Sequence, residues 1–271
     1  MTNGLTNKEI RQKASVILCS KGRWHNVVLG VCICIVAAIM PVFVLSFFSL
    51  IAAIFQGAEI GREILMYSGM AAFAAAEVFI AFPVIGGFLL FSYKLYKNDK
   101  AHISQLFYPF VDKGTYFKIL KCAFLILLRV TFLCTIPAIS VIASQKIIEM
   151  MAKLNPFMHI VSFFGAFASV ALSVALAVVL AFLTAGGYLI PYFMCKGFSV
   201  SDASRMSARA MRGKKYITAK YIFGFTGVII ISLLTVGMLF VVYTLPVMIF
   251  AYFIYADQIT ENINIDISEE S

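Results

Sequence analysis

Two ionisable side chains stand well inside apolar runs of this chain, Glu77 and Arg129. A charge at that depth is costly to hold in hydrocarbon, and it usually faces the interior of a helix bundle or a polar path. Two readings stand open for the pair. One is structural, as an internal ion pair or as charges that snorkel toward the interface. The other is a role in the passage of an ion or small solute. Glu77 lies about 17 residues before Lys94, roughly 25 Å along a helix, and Arg129 about eight residues beyond Lys121, roughly 12 Å. That difference in depth is near the limit of two extended side chains.

A second constellation is basic. Arg205, Arg209 and Arg212 fall at i, i+4 and i+7, one face of a helix, and Lys214 and Lys215 follow directly. Guanidinium groups in a row can bind phosphate bidentately, which makes anionic lipid headgroups the natural ligand. The same stripe also reads as a solvated surface that only marks the inner side of a membrane. Chemistry of other kinds finds no support. HExxH, GxSxG, P-loop and GxGxxG patterns do not occur. His25, His102 and His159 are scattered, and no histidine–carboxylate cluster has metal-ligand spacing. The six cysteines lie mostly in or beside apolar runs and read as small apolar fillers. No enzyme activity, cofactor, metal or nucleic-acid partner is expected.

The elements that must position these residues are membrane helices. Hydrophobic residues make up 62% of the 271 and charged residues 13%, with a net charge of +9. Apolar runs longer than about 18 residues recur along the whole chain. In hydrocarbon a helix satisfies its own backbone hydrogen bonds, and the period-2 alternation of a barrel is missing. The fold class expected is all-α: a polytopic bundle of six spans with amphipathic interfacial helices, forming one membrane domain over residues 1–256. Spans are expected near 27–55, 66–93, 117–143 and 158–192. The final run, 217–255, would reach roughly 58 Å as one helix, so two short spans meeting near Gly237 fit better. Residues 257–271 carry five acids and no base and read as a disordered tail. In the span over 158–192, Gly165, Ser169, Ser173, Ala177 and Ala181 repeat every four residues, a stripe that permits close helix packing and would place this span centrally.

Three short polar stretches precede three pairs of spans. Thr6 and Glu9 have capping-box spacing, and Ile10, Ala14, Ile17 and Leu18 share one face, so a helix should lie along the interface there. It ends at Lys21-Gly22-Arg23-Trp24, with Trp24 as an interface anchor. The second stretch holds Ile103, Leu106, Phe107 and Phe110 at helical spacing, is interrupted by Pro109, and ends at Lys113-Gly114-Thr115-Tyr116. The third is capped near Ser199 and ends at Arg212-Gly213-Lys214-Lys215-Tyr216. Gly22, Gly114 and Gly213 are read as structural elbows of three parallel repeats, about 7–93, 98–192 and 199–256. Lysine and arginine concentrate before the first span and in the second and fourth links, which places both termini inside.

The elbows at Gly22 and Gly213, with the ending TVGMLFVVYTLPVMIFAYFIYADQI, resemble a bacterial integral-membrane family of unknown function. That family is similar to the membrane domain attached to some glycerophosphodiester phosphodiesterases. The resemblance implies a six-span protein of the cytoplasmic membrane and carries no catalytic residues over to this chain. Residues and resemblance together lead to a non-enzymatic, lipid-interacting scaffold or accessory subunit. Its partners would be anionic lipids of the inner leaflet and a membrane-protein partner or second copy. The alternative is a small transporter or permease subunit that uses Glu77 and Arg129. A polar cavity reaching Glu77 would favour the latter.

Overall fold

The computed structural model describes residues 6–54, 59–97, 101–154, 185–234 and 237–269, with 165, 171, 173, 175 and 176 between them. All regular elements among the described residues are helical. They are α1 (Asn7–Cys19), α2 (Arg23–Ile54), α3 (Glu59–Ala76), α4 (Phe82–Tyr96), α5 (Tyr108–Val111), α6 (Lys113–Leu154), α7 (Ile190–Cys195), α8 (Val200–Ala210), α9 (Lys215–Phe223), α10 (Thr226–Leu234) and α11 (Leu245–Glu269). Among the described residues three stretches are long and apolar enough to cross a membrane: Arg23–Ile54, Glu63–Tyr96 and Phe240–Glu261. The chain is therefore a helical membrane protein. The small-residue stripe expected to make the span over 158–192 central lies largely outside the described residues, since Ser169, Ala177 and Ala181 are not among them.

α1 begins as its sequence dictates. The Thr6 backbone N–H donates to Glu9 Oε2 at 2.6 Å, and the Glu9 N–H donates to Thr6 Oγ1 at 3.4 Å. These hydrogen bonds hold the Glu9 carboxyl below the usual carboxylate range. The apolar face of α1 does not rest on lipid, as expected from its amphipathic pattern. Ile10, Ala14 and Leu18 are fully buried, and the helix packs on α11. An amphipathic stripe specifies that something apolar covers it, and here that cover is another helix of the chain. Trp24 likewise stands against a protein ring, with its centroid 5.6 Å from that of Tyr243.

Two of the three elbows behave as glycine elbows. Gly22 and Gly213 have φ of 69° and 75°, left-handed values that a Cβ disfavours. Gly237 has φ 74° and breaks the last apolar run where two short spans were expected to meet. Gly114 differs, because it lies inside the first turn of α6 without a positive φ. The turn there is made by Asp112, whose carboxylate accepts from the Gly114 N–H at 3.2 Å and from the Thr115 N–H and hydroxyl at 3.0 and 2.5 Å. The hydroxyl and backbone donors hold the Asp112 carboxyl below its ordinary range.

Pro83 does not break the second span. α3 runs into α4 through a π-helical turn over Glu77–Ala81. Proline has no N–H for the carbonyl four residues back, which is that of Phe79. The Tyr116 hydroxyl of α6 donates to this carbonyl at 3.1 Å and stands in for the missing amide. A second π-helical turn, Phe240–Thr244, precedes Pro246 in the same way. The stretch interrupted by Pro109 is short, as its sequence requires: a 3-10 turn over Ile103–Phe107, then the single turn α5.

The surface helices close a ring. The Ile103–Val111 stretch packs on α4, and α8 packs on the turn at 185–187 and on α7. α1, first in the chain, packs on α11, the last helix. A Cβ on Gly87 would stand 2.0 Å from the Leu106 carbonyl oxygen, so only glycine permits that approach. α11 extends through Asp257, Ile259 and Thr260 to Glu269, and Ala256, Ile259 and Thr260 are buried. The acids there were read by composition, while the apolar face of Ala256 and Ile259 continues the helical pattern.

Candidate functional site

α4 at its C-terminal end and the short α7 meet the middle of α11 around one carboxylate. Asp257 accepts from the Tyr96 hydroxyl at 2.7 Å, from Lys97 Nζ at 2.9 Å and from the Tyr192 hydroxyl. Thr260 Oγ1 lies 3.3 Å from the same Tyr192 oxygen. The ring of Tyr93 meets those of Tyr192 and Phe253 edge-on, with centroids 6.0 and 5.4 Å apart. Lys97 Nζ lies 5.1 Å from the centre of the Tyr96 ring, and Lys196 Nζ 4.6 Å from that of Tyr192. Burial pushes the Lys196 ammonium below its usual range, against the upward pull of Asp257.

A second knot sits beside the first. The Tyr252 hydroxyl donates to the Tyr188 carbonyl at 3.0 Å and accepts from the Tyr192 N–H at 3.2 Å. Tyr221 and Tyr255 stack with centroids 4.1 Å apart and planes 7° from parallel. The Tyr255 hydroxyl is 2.7 Å from Thr218 Oγ1. Chemically, this is a carboxylate whose oxygens are occupied by three donors. It fastens three segments, with three of its roughly four acceptor positions in use. Among the described residues no group of three or more His, Cys, Asp or Glu stands together as a metal site would require.

Arg205 and Arg209 are exposed on one side of α8, while Ala203, Ser207 and Ala210 are buried on the other; the helix ends at Ala210, so Arg212, expected on the same helix face, is exposed in the turn that follows. Ser199 caps this helix by accepting from the Asp202 N–H at 3.2 Å. Ser207 fixes its orientation, since its hydroxyl donates to the Gly186 carbonyl at 2.7 Å and accepts from the Leu189 N–H at 3.1 Å. Lys214 is used internally: its Nζ donates to the Ile259 carbonyl at 3.2 Å. Lys215 is half-buried. Glu77 opens the π-helical turn, and Arg129 lies against Gly187, where a Cβ would stand 1.2 Å from Nη1. Among the described residues no ion pair joins Glu77 to Arg129.

Sequence reasoning passed over Asp257 and the tyrosines. A signal was present. Tyr93 and Tyr96, Tyr188 and Tyr192, and Tyr252 and Tyr255 end three apolar runs with helical spacing of three or four residues. No protein-family model, curated protein or solved structure matches the chain.

Proposed function

We propose that this chain is a non-catalytic scaffold or accessory subunit of a bacterial cytoplasmic membrane that grips anionic lipid of the inner leaflet. The observation that carries the reading is α8. Arg205 and Arg209 are exposed on it and Arg212 in the turn that follows, and its small-residue face is held by Ser207 against the turn at 185–187. A basic group near an anionic leaflet is worth about 1 kcal/mol, so the stripe gives a preference of roughly 3 kcal/mol at most, weakened by salt.

The finer architecture belongs to the same reading: six spans as three parallel hairpins, with both termini cytoplasmic. It is supported by the ring in which each surface helix packs on the end of the hairpin before it, the first closing on the last. The decisive experiment replaces Arg205, Arg209 and Arg212 with glutamine and measures anionic-lipid retention in nanodiscs at low and high salt. Reduced retention at low salt is expected. Unchanged retention would leave the arginines as a topology signal only and would overturn the lipid-grip reading.

A further inference from the structure

A cavity of about 400 Å³ lies between α4, α6 and α7, and its lining includes none of the stripe arginines and none of the side chains that engage Asp257. Its size falls within the roughly 300–1,000 Å³ of small-molecule sites. One wall is a single face of α4: Phe82, Ile85, Leu89, Leu90 and Lys94. The opposite wall is a face of α6 that runs from Thr115 and Lys118 through Cys122 and Ala123 to Ile126. The helices touch where Gly86 meets Ile119, a contact in which a Cβ would come to 2.5 Å.

Lys94, Gln105, Thr115 and Lys118 bring polar groups to a lining that is otherwise mostly apolar, with Phe82, Leu89, Ile119 and Ile126 among it. Phe82 to Lys94 spans about 18 Å of helix, close to the roughly 15 Å depth of one leaflet's hydrocarbon. Both lysines are exposed, and among the described residues neither forms an ion pair. No acidic side chain lines the cavity. Asp112, beside Lys118, is already engaged by Thr115 and Gly114. The Gln105 Oε1 atom is buried and has no hydrogen-bond partner. A buried acceptor without a donor is costly, so an occupant that supplies an O–H would satisfy it.

We infer that this cavity binds one anionic glycerophospholipid. An acyl chain lies along the α4–α6 slot, the phosphate sits between Lys94 and Lys118, and a headgroup hydroxyl donates to Gln105. The inference extends the lipid reading above to an enclosed site on different residues, and the test separates the two.

The full-length protein, stripped of lipid in detergent, is titrated with long-chain phosphatidylglycerol and followed by native mass spectrometry. Phosphatidylcholine with the same chains and glycerol phosphate without chains are the comparison probes. One tightly held phosphatidylglycerol is expected. Lys94→Gln with Lys118→Gln should weaken it roughly 30-fold, at about fivefold for each charge. Ala123→Phe should exclude the chain. Ile126→Trp fills the same slot from a position 39% exposed and is the variant to read if Ala123→Phe does not fold. Gln105→Leu should remove the preference for a hydroxyl-bearing headgroup. The triple glutamine variant of Arg205, Arg209 and Arg212 should retain the one lipid even where bulk retention falls. Undiminished lipid in the lysine and slot-filling variants would overturn the assignment. So would competition by glycerol phosphate as effective as that of the intact lipid, which would mark a headgroup site without a chain.

Discussion

Asp257 is the residue whose removal tests the architecture most directly. Its side chain is 21% exposed and accepts three hydrogen bonds from two other segments. In Asp257→Ala the phenols of Tyr96 and Tyr192 lose their acceptor and Lys97 loses its counter-charge. Hydrogen bonds to a charged group contribute about 1.5–3 kcal/mol each, but 41% of the Lys97 side chain remains in contact with solvent and is easily rehydrated. The expected loss is therefore about 2–4 kcal/mol, less than the sum of three bonds. At about 2–4 °C per kcal/mol for a chain of this size class, thermal unfolding in detergent should fall by roughly 5–15 °C. Lys97→Met should cost less than about 1 kcal/mol, because that ion pair is half in solvent. Tyr96→Phe and Tyr192→Phe should each cost about 1 kcal/mol and should be non-additive with Asp257→Ala. If Asp257→Ala unfolds with the wild type, or the tyrosine and aspartate effects simply add, the three helices are not held through this carboxylate.

Gly22→Ala and Gly213→Ala should each destabilise by about 1–2 kcal/mol, the cost of a Cβ in the left-handed region, whereas Gly114→Ala should be near neutral in the same unfolding assay. Ser207→Ala removes the two hydrogen bonds that orient α8 and should cost about 1–3 kcal/mol while raising proteolysis between residues 197 and 214. The folded-state carboxyls of Glu9 and Asp112 are held below their unfolded value of about 4, so the stability they contribute is full above that pH and is lost as pH falls through the lower folded values. Asp112→Asn should flatten that acid limb in pH-dependent unfolding. Ser268→Cys should be protected from an impermeant thiol reagent in intact cells, and labelling from outside would refute cytoplasmic termini.

The helical class, the capping box at Thr6 and the chain breaks at Gly22, Gly213 and Gly237 were legible because each rests on local chemistry. A capping box needs only residues three apart, and a left-handed turn needs only a missing Cβ. What could not be read was which faces meet. The α1 stripe of Ile10, Ala14 and Leu18 is the same sequence pattern whether lipid or α11 covers it. Gly114 looked like its two counterparts, yet Asp112 makes that turn with side-chain acceptors. Glu77 and Arg129 were singled out for depth, but depth says nothing about azimuth, and the structure sets Arg129 against Gly187.

Asp257 and α1 solve one structural problem together. The Ile103–Val111 stretch rests on α4, α8 on the 185–187 turn and α7, and α1, the first helix, on α11, the last. That contact joins chain ends more than 200 residues apart and is the entropically most expensive to form. Two features oppose the cost. α1 presents a fully buried three-residue stripe, and Asn7 Nδ2 donates to the Lys220 carbonyl at 3.1 Å, which ties the helix start to α9. α11 must in turn be fixed before α1 can dock, and Asp257 fixes it to α4 and α7 through Lys97, Tyr96 and Tyr192. On this argument, truncation after Ala256 loosens α1 although it removes none of that helix's own residues. Hydrogen exchange over residues 7–19 should rise in that truncation and in Asp257→Ala alike. Unchanged protection of α1 in both would mean that the ring closes without the carboxylate.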